Sequence, residues 1–473
     1  MEKSKISTLV LLLININIFA QPALPELGYR WVLNNECSDE FDGTSALNET
    51  VWQNTDTRWI GREPGLFTAE AVTVGEGNLR LTTDVFSEAR VVNGKTWTHQ
   101  GAHVRSKNKV KLGSFVECKM KANKTFMSST FWLINYSNES TDCQRRTTEL
   151  DVQECIGYPA THAKTTQMGS NTHSRGIPET CAHIPAGSKG NHAETNGKVY
   201  DNYFTYGVWW KSATEILFYL NGEYKYTIKP IANFDIEMYI KLVCETYDWS
   251  PVPADGGMTG TWEERTTFYD WVRTYSYLPV DEQSASESNN VFSEEIMFSQ
   301  KPTSLEADAL SFNVNYQSNG DNKIVLEIKD EHGSVVLRSE KELYAGYGNL
   351  LMEMEDSELN GTYIAAVSLI SNSDHSVLNT AEFSLKINHD TAVGKLGAQT
   401  VRIAPNPAGE VMFIKGLDSP TDFELYAITG KLLNRGITGE KDSKIDISDL
   451  SSGTYILQLK SGNNIASLKL IKI

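Results

Sequence analysis

Three carboxylates fall within six residues in the run Glu149-Leu150-Asp151-Val152-Gln153-Glu154. Its apolar and β-branched residues, with Thr147-Thr148 before it and Gly157 and Pro159 after it, predict a strand rather than a helix. Strand side chains alternate, so Glu149, Asp151 and Gln153 share one face and Glu154 takes the other. A single β-bulge between Asp151 and Glu154 returns all three acids to one side. Strand rise and the reach of two Glu side chains then leave about 5 Å between the outer carboxyl groups. That gap suits an acid pair that cleaves a glycosidic bond with retention, because inversion needs a wider one to admit water. Glu149 is therefore the candidate nucleophile, Glu154 the candidate acid/base, and Asp151 the middle group that holds a proton or hydrogen bond between them. Repulsion among three clustered acids should raise at least one pKa, as a general acid requires near neutral pH.

An isolated acidic run of this kind is more often a solvated face, so the surrounding elements have to position it. Segments such as Leu79-Arg80-Leu81-Thr82, Ala102-His103-Val104-Arg105 and Phe115-Val116-Glu117-Cys118 trade apolar for polar residues at period two. They predict antiparallel strands with one buried face. Asn221-Gly222 between Ile216-Leu217-Phe218-Tyr219-Leu220 and Glu223-Tyr224-Lys225-Tyr226 predicts a two-residue hairpin. Residues 239–243 predict a further strand that leads to Glu245 and Trp249. An indole offers a flat apolar face to a pyranose, and a guanidinium forks two hydrogen bonds to a sulfate or to paired hydroxyls. Trp59 and Arg62 fit that pairing, and Trp132 is a candidate for the cleft floor. Arg145 and Arg146 directly precede the acid run and could meet a sulfate ester; strand parity favours Arg145. His162, His173, His183 and His192 lie about ten residues apart, without the short ligand spacing of a zinc site.

Ser128-Ser129-Thr130-Phe131-Trp132-Leu133, the acid run and Phe268-Tyr269-Asp270-Trp271-Val272-Arg273 together resemble glycoside hydrolases of family sixteen. Trp59-Ile60-Gly61-Arg62-Glu63-Pro64-Gly65-Leu66-Phe67 and Glu245-Thr246-Tyr247-Asp248-Trp249 narrow the resemblance to the β-agarase and β-porphyranase branch, over about residues 29–277. The resemblance implies an all-β chain whose catalytic domain is a concave β-jelly-roll sandwich, at residues 21–280. It implies an endo-acting, retaining hydrolase of β-1,4 linkages in a red-algal galactan with no catalytic cofactor; porphyran is the expected substrate, because Arg62 with Arg145 or Arg146 could meet its 6-sulfate, and agarose is the alternative. It also places Trp59 and Arg62 at the negative subsites, supports Arg146 by position, and gives His173, Glu245 and Trp249 roles in holding sugar. Asp270 could ligate a structural calcium, as in relatives. A non-catalytic carbohydrate-binding protein on the same scaffold is the rival of another class.

The net charge of −17 argues against nonspecific nucleic-acid binding and would repel a sulfated polymer unless cations gather in the cleft. Lys3 and Lys5 before an apolar run predict a secretory leader at residues 1–20, and no later run is long enough to span a bilayer. All six cysteines lie in the first 244 residues, which in an exported domain predicts disulfides of undetermined pairing. A Ser-rich, charged linker at 281–293 precedes an immunoglobulin-like β-sandwich at 294–390. Residues 398–473 carry Ile403-Ala404-Pro405-Asn406-Pro407-Ala408 and Leu450-Ser451-Ser452-Gly453-Thr454-Tyr455, and resemble the small β-sandwich sorting domain read by the type nine secretion machinery. The expected destination is the medium or the cell surface, by way of the periplasm.

Overall fold

The computed structural model describes residues 22–43, 46–284, 291–306, 310–354, 359–388, 393–439 and 443–473. The expected leader and the middle of the expected linker lie outside the described residues. Those residues form strands and short 3-10 turns, and none of them forms a helix long and apolar enough to cross a membrane.

Two antiparallel sheets build the first domain. The cleft sheet runs in the order Gly187–Glu194, Gln167–Arg175, Thr147–Ile156, Ser128–Ile134, Met238–Cys244 and Lys95–Val110. The outer sheet contains Glu223–Ile228, Glu215–Leu220, Phe204–Ser212, Phe115–Lys121, Thr266–Pro279 and Tyr29–Leu33. Alternation makes the core between them: Val116, Cys118 and Met120 from one sheet join Leu150, Val152 and Cys155 from the other in one buried cluster. The Asn221-Gly222 turn has positive φ at both residues, 53° and 78°, as a type I′ hairpin needs.

The acid strand, Thr147–Ile156, carries its bulge at Val152. Phe131 of the neighbouring strand faces Gln153 and Trp132 faces Asp151, so Val152 has no opposite residue. Glu149, Asp151 and Glu154 consequently share the cleft side, while Leu150, Val152 and Cys155 are fully buried beneath.

Of the six cysteines, Cys143 and Cys181 form a disulfide, and Cys37, Cys118, Cys155 and Cys244 are buried thiols. The bond ties the turn before the acid strand to the loop after Gln167–Arg175 and closes a separation of 38 residues. Replacing both cysteines by serine should cost about 2–4 kcal/mol by freeing the unfolded chain. Denaturant unfolding of the variant against the parent measures it, and an unchanged midpoint would contradict this.

The middle module is joined to the first domain edge to edge. Tyr29–Leu33 pairs with Thr266–Pro279 on one side and with Gly346–Glu353 on the other, in the register Tyr29↔Asn349, Arg30↔Gly348 and Trp31↔Tyr347. The outer sheet thereby continues through Ser311–Ser318 to Glu295–Phe298. Arg30, fully buried, donates to the carbonyl oxygens of Ala345 and Glu282, both at 2.5 Å. Phe292 packs into a cluster with Trp31, Phe115 and Tyr275. A linker is expected at 281–293; the outer sheet nevertheless continues from the first domain into the module, because long-range strand pairing leaves no local signature. A second sheet, which includes Asn322–Lys329, Gly361–Ser371 and Val377–Asn388, closes the module over Phe312, Val314, Leu326 and Val367. The tail is a separate sandwich of two four-stranded sheets with its own core, including Ile403, Ile414, Leu425 and Leu457.

Candidate active site

The three acids line a cleft of about 470 Å³. One oxygen each of Glu149 and Asp151 and one ring nitrogen of His173 lie within 4.8 Å of one another. This closeness follows from register, since His173 sits opposite Glu149 and Asn171 opposite Asp151 on the adjacent strand. His173 Nε2 is 3.1 Å from Asp151 Oδ2. Arg175, two residues further on the same face, donates to both oxygens of Glu149 at 3.0 and 2.5 Å. Lys164 donates to Glu154, and the Tyr247 hydroxyl also reaches Glu154. Gln153 accepts from the Gly169 amide at 2.8 Å and donates to the Gln167 carbonyl oxygen, fixing the strand beside the bulge.

Burial, followed by the charges of Glu149 and Glu154, pushes the Asp151 carboxyl up to about 7, opposed by its hydrogen bond with His173. The partnership with Asp151 raises His173 in turn. The raise at Asp151 thus owes more to its burial than to repulsion within the acid run. A second raised acid is Glu245, pushed to about 7 chiefly by burial although Arg62 Nε donates to it at 2.9 Å.

These values set a pH dependence. Below about 7 Asp151 holds its proton; above it, a further negative charge appears between Glu149 and Glu154. Activity should fall as pH rises through that value, and Asp151→Asn, permanently neutral, should flatten the alkaline limb. Stability follows the same sign. A folded pKa above the unfolded value near 4 favours folding at low pH, and the gain is progressively lost as pH rises toward 7. Rate and melting profiles of parent and Asp151→Asn check both; identical alkaline limbs would refute the assignment.

Trp59 and Trp132 meet edge to face at 5.9 Å. Trp249 is 47% exposed and stacks on Tyr247 at 4.6 Å, presenting a ring to the cleft. Arg62 reaches the cleft and also approaches Asp248 at 3.7 Å.

Two expected arginines are not in the cleft. Arg146 is buried and spends its guanidinium on the Cys143 and Asn233 carbonyl oxygens and on Asp235. Arg145 is exposed in the 3-10 turn Asp142–Arg145 and is absent from the cleft lining. Strand parity could not place it, because the strand begins only at Thr147. The Asp270 carboxylate pairs with Lys119 at 2.6 Å. Arg175, Lys164, Lys241 and Tyr247 were not legible as site residues, although two carried a signal. Arg175 shares parity with His173, and Lys241 is a lone charge within the fully buried strand Met238–Cys244.

A jelly-roll whose cleft strand presents three acids beside three indoles is the site of a glycoside hydrolase. Residues 31–277 match the family "Beta-porphyranase A-D, GH16 domain", and the chain belongs to it. Residues 296–394 match the porphyranase-associated domain, and residues 402–473 match the secretion system C-terminal sorting domain, which marks the chain as secreted or surface-attached. β-Porphyranase B of Zobellia galactanivorans is 51% identical over 253 residues, 52% of this chain and 85% of that protein. β-Porphyranase D of the same organism is 31% identical over 399 residues, 73% of this chain and 89% of that protein. The crystal structure of porphyranase B from Z. galactanivorans superposes with a TM-score of 0.52 at 47% identity, covering 55% of this chain and 99% of the other.

Proposed function

We propose that the chain hydrolyses internal β-1,4 linkages of porphyran with retention of configuration. The observation that carries the reading is the bulge at Val152, which puts Glu149, Asp151 and Glu154 on one cleft face. Glu154 protonates the leaving oxygen while Glu149 attacks the anomeric carbon; Glu154 then takes a proton from water, and the hydroxide displaces the sugar from Glu149. Arg175 orients the Glu149 carboxylate, and Asp151 with His173 keeps a neutral, hydrogen-bonded group between the two reacting acids. Trp59, Trp132 and Trp249 supply stacking faces, and Glu245 holds Arg62 toward the sugar. The reaction uses the chain's own carboxylates. Export runs through the periplasm, with the tail read by the type nine machinery.

Similarity to β-porphyranases favours porphyran over agarose, and so do the cations lining the cleft. The test is to offer both polymers and analyse the released oligosaccharides. Sulfated products with the anomeric configuration kept at first release are expected. Cleavage confined to sulfate-free, anhydro-containing stretches would favour agarose instead, and binding without any cleavage would favour a carbohydrate-binding protein.

A further inference from the structure

Three cations line the cleft, and two of them are neutralised. Arg62 is held by Glu245 and Asp248, and Arg175 by both oxygens of Glu149. The third, Lys241, has no carboxylate within 4.0 Å among the described residues. Its ammonium stands 4.8 Å from the Trp59 ring centroid, 5.2 Å from that of Trp132 and 5.2 Å from that of Tyr136. The obvious counter-ion, Asp56, is turned to other partners: it accepts from Arg58 at 3.0 Å and from the Tyr136 hydroxyl at 2.6 Å.

The strands beneath add positive charge. Lys241 pairs in register with Arg105 on one side and Trp132 on the other, so all three project on the cleft face of the sheet. Arg105 spends one nitrogen on Gln53 and leaves Nε and Nη1 without partners; buried His103 leaves both ring nitrogens so. This end of the cleft is therefore cationic and short of acceptors, in a chain whose net charge is −17.

Packing alone does not account for a lysine here. The side chain is 2% exposed and burial pulls its amine down to about 8, so the charge is kept against a desolvation cost that methionine of similar length would avoid. A buried cation that faces a substrate cleft without a counter-ion is matched to an anion the substrate brings.

We propose that Lys241 is a specificity-determining residue: its ammonium pairs with a sulfate ester on the sugar bound against the Trp59–Trp132 pair. The inference rests on the porphyran reading above and names the group in that cleft that reads the sulfate. Its test compares kcat/KM on porphyran and on the same polymer after desulfation, for the parent, Lys241→Met and Lys241→Arg. Loss of a charge-assisted hydrogen bond should lower the sulfated-to-desulfated preference of Lys241→Met about 10- to 100-fold, mostly through KM, with Lys241→Arg recovering most of it. Melting curves establish that both variants are folded. Rates that fall together on both polymers, leaving the preference within about twofold of the parent, would assign Lys241 to packing and overturn the proposal. A parent protein that cleaves neither polymer would instead remove the hydrolase reading itself.

Discussion

Glu149→Gln and Glu154→Gln should each lower turnover of the polymer by at least about 10³-fold, and they should fail differently. Without Glu149 no glycosyl-enzyme forms, so a substrate with a better leaving group gains nothing. Without Glu154 the first step lacks only its proton, so an activated aryl glycoside of the same sugar should still glycosylate the enzyme and show a burst. The contrast follows from geometry. Glu149 is braced by the two donors of Arg175, as a nucleophile should be, while Glu154 lies past the bulge with Lys164 and Tyr247 at hand. Both changes preserve shape and remove only the charge or proton, so melting temperatures should stay close to the parent's. Either variant retaining more than about a tenth of the parent rate would sink the role assigned to that residue.

Gly346→Val should be the most damaging single change away from the cleft, at about 3 kcal/mol or more. Gly346 opens the strand that docks on Tyr29–Leu33, with φ of +142°, a conformation costly for any other residue. A Cβ there would also sit 2.4 Å from the Trp31 carbonyl oxygen, a backbone atom with no freedom to retreat. Relief requires separating Gly346–Glu353 from Tyr29–Leu33, which would strip the Ala345 carbonyl from buried Arg30. Calorimetry should show a lowered first transition split from the catalytic domain's own unfolding. A single transition at the parent temperature would mean that the joint contributes little.

The parts of this architecture that were legible from sequence are those written at short range. Period two placed Glu149 and Asp151 on one face, and the odd position of Glu154 demanded the bulge found at Val152. Asn221-Gly222 announced its hairpin by backbone preference alone. What stayed hidden depends on partners distant in the chain. Arg145 and Arg146 look equivalent on paper, yet one is exposed on a turn and the other buried against Asp235, more than eighty residues away. Arg175 and Lys164 enter the site by strand register and loop return, which no spacing of three or four residues encodes. The seam between Tyr29–Leu33 and Gly346–Glu353 spans over three hundred residues, and nothing local to either strand marks it.

The distribution of thiols also fixes an order of events. Cys118, Cys155 and Cys244 have no exposed surface and lie in one core with Cys37, whereas Cys143 and Cys181 sit on loops outside it. A chain reaching an oxidising compartment unfolded would offer six reactive sulfurs and many wrong pairings. Collapse of the jelly-roll withdraws four of them, leaving an oxidant a single permissible choice. Oxidation after folding is thus steered to the Cys143–Cys181 pair, whereas oxidation of the unfolded chain should yield other pairings that must be exchanged before the cleft can form.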